Sequence, residues 1–240
     1  MRAVRRSRSL RLLVVPATAA AFLAVSAPAA PAATTRIPPS TRSAPYSFLV
    51  KQPRNAKAPV RWDPCTVHHY RIYSGGATPA ERTQMRAAVA RLASASGMRW
   101  VYAGLTSVLP TTTTAGRLPR LAKADLVLAF ARPGAGRGHS NLLPSSPTLL
   151  GIGGAYYTWT GTRPAWFVSG YALFDSRHVP AGATSRARMF EHEVGHAFGL
   201  GHVSLRSDVM YPVQTPSSPA WSTGFAHGLL AIGRPAGCRP

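Results

Sequence analysis

The residues best suited to chemistry lie between Glu191 and His202. His192-Glu193-Val194-Gly195-His196 sets two histidines four apart, which on a helix places both imidazoles on one face, about one turn apart, where they can share a zinc ion. Glu193 stands beside the first of them. A carboxylate that is not a ligand but touches a metal-bound water can take its proton, and such an arrangement works as a hydrolase site. Gly199 comes three residues after His196, and His202 three later again. Glycine can leave a helix with a positive φ, so the chain can turn and bring a third imidazole to the same metal. Three nitrogen ligands leave one position for water, which separates a catalytic zinc from a closed structural one. The alternative is a core histidine cluster without metal, whose crowded rings would need other partners.

These residues need a helix to carry them, and the pattern predicts one starting after Thr184 or Ser185. An earlier helix is predicted from Pro79 to about Ala95: Thr78 and Glu81 form a capping box, Pro79 takes the first helical position, Met85, Ala88, Val89 and Leu92 share a face, and Gly97 stops it. Extended stretches are expected at Tyr46–Val50 and Val60–Trp62, paired across a polar gap, and at Val67–Ile72, Met98–Ala103, Ala124–Ala131, Leu149–Gly154 and Tyr171–Asp175. The Gly/Pro/Ser-rich residues 132–148 read as a long surface loop, and Phe225–Ile232 as a short helix before Gly233. The fold class is α+β, a mixed twisted sheet with its helices on one side.

Composition narrows the chemistry. The chain has 240 residues, 45% of them hydrophobic and 9% aromatic, enough for a packed core. Its 28 Lys and Arg stand against 7 Asp and Glu, a net charge of +21. So few carboxylates argue against calcium cages built from many acidic ligands. Two cysteines allow one bridge but no disulfide-dense scaffold and no four-thiolate zinc site. Arg2, Arg5, Arg6, Arg8 and Arg11 precede an uncharged run from Leu12 to about Val25, with small residues at Ala29 and Ala32 suited to cleavage. Residues 1–32 therefore read as a secretory signal peptide, the alternative being an uncleaved anchor. Its removal would leave 23 basic and 7 acidic residues, a net charge of +16. Residues 33–45, rich in Pro, Ser, Thr and Ala, read as a disordered linker or short pro-segment.

The stretch from His192 to His202 resembles the zinc signature of the metzincin proteases, and Asp208-Val209-Met210-Tyr211-Pro212 is similar to their methionine turn in its matrixin form. Ala124–Ala131 is similar to a matrixin sheet strand, and Val60–Cys65 resembles the opening of small secreted bacterial matrixin-like proteases. The resemblance covers about residues 46–240. It implies a zinc protease domain over that range, with His192, His196 and His202 as metal ligands, Glu193 as catalytic base, and Met210 as an apolar floor beneath the imidazoles. Tyr211 follows Met210 directly, whereas the families that use a tyrosine as a further ligand place it two residues on. The chain departs from animal matrixins in three ways. His139 alone stands where they hold a structural zinc and calcium, so neither extra metal is supported. Val203 replaces the usual Ser or Thr after the third histidine, and Gln214 a common pocket-lining tyrosine. No cysteine precedes Cys65, so a cysteine switch is absent.

Cys65 could block a zinc, but its place beside an expected strand and the exported setting favour a bridge to Cys238. His68, His69, His139, His178 and His227 lack ligand spacing and read as surface or packing residues. Glu191 falls on another helix face than His192 and is expected to face solvent or pair with a cation. Asp175 and Asp208 could accept a proton from a ligating imidazole or cap turns. Gly151–Ala155 could be an edge strand on which a peptide adds, or an ordinary buried strand.

Two functions follow. The first is a secreted, monomeric zinc endopeptidase acting on protein or peptide substrates. The second is a cationic module binding anionic polymers or an envelope surface, its metal site structural or vestigial. The arginines are scattered, which weighs against specific nucleic-acid recognition.

Overall fold

The polar gap near the start of the domain folds back on itself. In the computed structural model, which describes residues 44–214 and 221–239, β1 (Ser47–Phe48) is followed by the hairpin of β2 (Lys51–Gln52) and β3 (Asn55–Pro59). The Asn55 side chain accepts from the Lys57 N–H at 3.0 Å, an Asx-type bond that favours the turn. The expected pairing of Tyr46–Val50 with Val60–Trp62 is thus replaced. Only the Val60 N–H reaches back, to the Val50 carbonyl at 2.9 Å, and β1 pairs elsewhere. The signal-peptide segment 1–32 and residues 33–43 of the linker lie outside the described residues.

The main sheet is built from β4 (Val67–Tyr73), β5 (Arg99–Thr106), β6 (Leu126–Pro133), β8 (Gly151–Thr158) and β9 (Trp166–Asp175), in the order β5-β4-β6-β9-β8. The first four in that order run parallel, and β8 lies antiparallel to β9 at the edge. A two-residue strand, β7 (His139–Ser140), adds to the end of β6. β5, β8 and β9 run longer than their apolar cores suggested, because ladder bonds extend into polar and aromatic neighbours such as Tyr156 and Tyr157, whereas β6 keeps the expected length but starts later, at Leu126.

Three helices share one face. α1 (Pro79–Ser96) has the full capping box at Thr78 and Glu81 and ends at Gly97 with φ 68°. α3 (Ala183–Phe198) lies beside it over β8 and β9, and α4 (Thr223–Ile232) packs on α1. Strand β6 shows why both faces are dry: Leu126, Leu128 and Phe130 join the helix-side core with Met85, Leu92, Phe190 and Val194, while Val127 and Ala129 point to the other side. That other side is covered by a short helix α2 (Leu118–Leu121) and by the segment around Leu143. The sequence predicted neither cover. Thr/Pro content hid the single turn of α2, and Ser140 and Leu143 are buried inside what reads as a surface loop.

A disulfide joins Cys65 to Cys238. Arg61 reinforces it, donating to the carbonyls of Gly237 at 2.7 Å and Ala236 at 2.9 Å. Among the described residues no helix is long and apolar enough to cross a membrane.

Candidate metal centre

Helix α3 runs without proline from Ala183 to Phe198, and every residue from Met189 on is buried. His192 and His196 sit one turn apart on it. Gly199 leaves the helix with φ 120°, a conformation that L side chains rarely adopt. The next two residues form β10 (Leu200–Gly201), which pairs with β1, and the Leu49 N–H holds the Gly199 carbonyl at 2.8 Å. This clamp returns the chain, and His202 faces the other two histidines.

The three Nε2 atoms lie 3.2 Å (His192–His196), 3.1 Å (His196–His202) and 3.3 Å (His192–His202) apart. His192 Nδ1 is 2.7 Å from the Val209 carbonyl and His196 Nδ1 is 2.8 Å from the Leu200 carbonyl. A carbonyl only accepts, so each Nδ1 carries the proton and each Nε2 turns a lone pair inward. Lone pairs converging without a proton between them repel unless a cation stands there. Tetrahedral coordination with bonds of about 2.0–2.1 Å sets ligand nitrogens about 3.3–3.4 Å apart, close to the spacing found. The donor set therefore fits a metal ion, and the three histidines are close enough to bind one.

The turn after His202 is tied together by hydrogen bonds. Asp208 accepts from the Met210 N–H at 2.8 Å and from the Ser222 hydroxyl at 2.7 Å, and Ser222 in turn caps α4. The Val203 N–H donates to the Met210 carbonyl at 3.1 Å. These bonds hold Val209, whose carbonyl fixes the tautomer of His192. Met210 is buried against Gly195. Asp208 is thus a turn cap, and Asp175 is too, bound by Arg177 through its backbone N–H at 2.9 Å and its guanidinium. Neither accepts from an imidazole of the cluster.

Glu193 is buried beneath β8. The Gly153 backbone N–H donates to its carboxylate, and Oε2 has no hydrogen-bond partner among the described residues. Burial pushes this carboxyl up to about 8, and it pushes His192 down to about 4 and His196 to about 3; His202 is lowered by the same cause. The signs predict how the metal-stripped protein behaves. The unfolded chain binds more protons on the two histidines between about pH 4 and 6.5, so stability falls as pH drops through that window. Glu193 holds its proton in the folded state up to about 8 but releases it near 4.5 when unfolded, so its contribution falls as pH rises. Denaturant melts of stripped protein should be most stable near pH 6.5, weaker at both pH 5 and pH 8; monotonic stability from 5 to 8 would contradict the assignment.

A groove of about 720 Å³ opens over the cluster, bordered by Gly151–Gly153 of β8, Met189, Phe48, Val213 and Gln214. The sequence reading found β8 as a candidate edge but missed why it is glycine-rich. A Cβ on Gly153 would stand 1.9 Å from the Glu193 carbonyl oxygen and 2.7 Å from His196 Cβ. Gly153→Ala should therefore cost about 3 kcal/mol, the upper end for overpacking, and weaken metal binding. Gly154→Ala meets only the Tyr171 ring end at 2.8 Å and should cost under about 1 kcal/mol, because that side chain can move. Equal losses in thermal melts would refute the distinction.

Glu191 does not face solvent. It is buried and pairs with Arg91 of α1 at 2.9 Å, while Arg91 also lies 4.3 Å from the Trp221 ring centre. Burial raises its pKa despite Arg91. His68 packs between Trp62 and Trp100, and His178 bonds the Leu149 carbonyl; neither joins the cluster. No protein-family model matches the chain, and neither does any curated protein.

Proposed function

We propose that the chain is an exported zinc endopeptidase of the metzincin type, matrixin-like in its methionine turn. The observation that carries this reading is the convergence of three imidazole Nε2 atoms at the floor of an open groove, beside a buried carboxylate with one oxygen free. A structural zinc site closes over its metal; this one faces a space large enough for a peptide. His192, His196 and His202 hold the ion. Zinc bound there supplies Lewis acidity toward water and a peptide carbonyl oxygen. Glu193 accepts a proton from the attacking water at Oε2 and delivers it to the departing amine nitrogen, while the Gly153 N–H holds the carboxylate in place. The buried setting of Glu193 excludes competing partners from that oxygen. The two backbone carbonyls fix the tautomer and orientation of His192 and His196, and burial keeps both rings neutral.

Removing divalent metal with a chelator should abolish cleavage of a mixed peptide library by the purified protein, and zinc should restore it. Cleavage that survives chelation would reject the proposal, as would a library left intact by the zinc-loaded protein. The latter result would favour the cationic polymer-binding reading.

A further inference from the structure

A second cavity, of about 480 Å³, shares no lining residue with the groove over the histidines. Strand β8 runs between the two: Gly151–Gly153 border the groove, and Trp159, just past the other end, borders this cavity. Its walls are fixed by long-range bonds. The Gln52 side chain donates to the carbonyls of Pro59 and Ala165, both at 2.9 Å, and accepts from the Ala165 N–H at 2.8 Å, which locks the β2–β3 hairpin to the segment before β9. Arg61 lies 4.8 Å from the Trp166 ring centre and binds the carbonyls of Ala236 and Gly237, and the disulfide holds Cys238 as the remaining wall.

The chemistry inside is one-sided. Arg54, Arg61 and Arg163 line the cavity together with Trp159 and Trp166, and no Asp or Glu does. Arg54 and Arg163 are exposed, and among the described residues nothing pairs with either. Two unpaired guanidinium forks, one from the β2–β3 hairpin and one from the segment before β9, are suited to anions carrying two oxygens side by side. Trp159 is 46% exposed, and its indole offers a flat apolar plate with a polar edge. Asn55 and Thr162 add hydrogen-bonding groups. The volume falls in the range of small-ligand sites, about 300–1,000 Å³. The cations gather in one recess instead of tracking along a strand, which disfavours a nucleic-acid backbone.

The geometry points to a binding site for acidic sugar units of an anionic polysaccharide, with the carboxylate held between Arg54 and Arg163 and the sugar ring laid on Trp159. This site is independent of the metal centre and of the activity proposed for it.

Calorimetry of the full secreted chain with tetragalacturonate, its methyl ester and tetrathymidylate tests the assignment. Tetragalacturonate should bind, and its methyl ester, with the same rings but no charge, should bind at least about 10-fold more weakly. Arg54→Ser with Arg163→Ser should lose about the same factor, and Trp159→Ala about 3-fold or more. Arg132→Ser with Arg137→Ser removes two exposed arginines beyond the opposite end of β9 and should leave affinity within about 2-fold, as should chelation of metal. Unchanged thermal midpoints establish that the variants fold. Equal loss from the Arg132 and Arg137 pair would show attraction by net charge alone and overturn the site. So would tetrathymidylate binding as tightly as the acidic sugar, or no binding of tetragalacturonate.

Discussion

Replacing Glu193 with Gln should leave the zinc content of the protein unchanged and lower peptide hydrolysis by about 10²–10⁴-fold, the range that a positioned acid–base group contributes. The side chain touches none of the three imidazoles through a hydrogen bond, so ligation does not depend on it. Gln keeps the volume beneath β8 and can accept from the Gly153 N–H, but cannot take up a proton. Glu193→Ala should give the same loss of turnover. His202→Ala, by contrast, should lower metal content as well as turnover. Elemental analysis beside the rate assay separates the two classes. Turnover within about 10-fold of the parent in Glu193→Gln would remove this residue from the mechanism.

The double substitution Cys65→Ser, Cys238→Ser should destabilise the fold by about 5 kcal/mol in the chain-entropy model, because the bridge closes a loop with a sequence separation of 173. For a domain of this size that corresponds to a fall of about 10–20 °C in Tm. The effect should be global stability with little change in zinc content, since the ligands sit on α3 and the segment after it, away from the bridge. Arg61 and the Arg239 N–H bond to Asp63 would still tether the tail, but both depend on an ordered C-terminus. Thiol labelling of the native parent should find no free cysteine. A Tm shift under about 3 °C would mean that the unfolded chain gains little freedom when the bridge is lost.

The parts of this molecule legible in its sequence are those specified locally. The capping box at Thr78 and Glu81 and the stop at Gly97 define α1 within a residue, because every group involved is a near neighbour. The five fixed positions from His192 to His202 bring three side chains together through one helical turn and one glycine reversal, both visible locally, although β1 braces that reversal from far away in sequence. What was hidden depends on partners far away in sequence. β1 finds β10 across more than 150 residues, and nothing in Ser47–Phe48 announces it. Glu191 was readable as a cation's partner but not as buried, because its burial follows from α1 lying alongside α3. Val209's role rests on a backbone carbonyl, which carries no residue signature at all. Gly153 carried a usable hint: two glycines alternating along a strand leave one face smooth, which a helix can approach closely.

The pairing of β1 with β10 has a practical consequence for handling the protein. Ser47 and Phe48 both border the groove and brace the reversal that returns His202. Any N-terminal trimming that reached Ser47 would unfasten that reversal, and a purification handle fused directly ahead of Ser47 would sit beside the cleft. Handles placed after Arg239 leave the cleft clear.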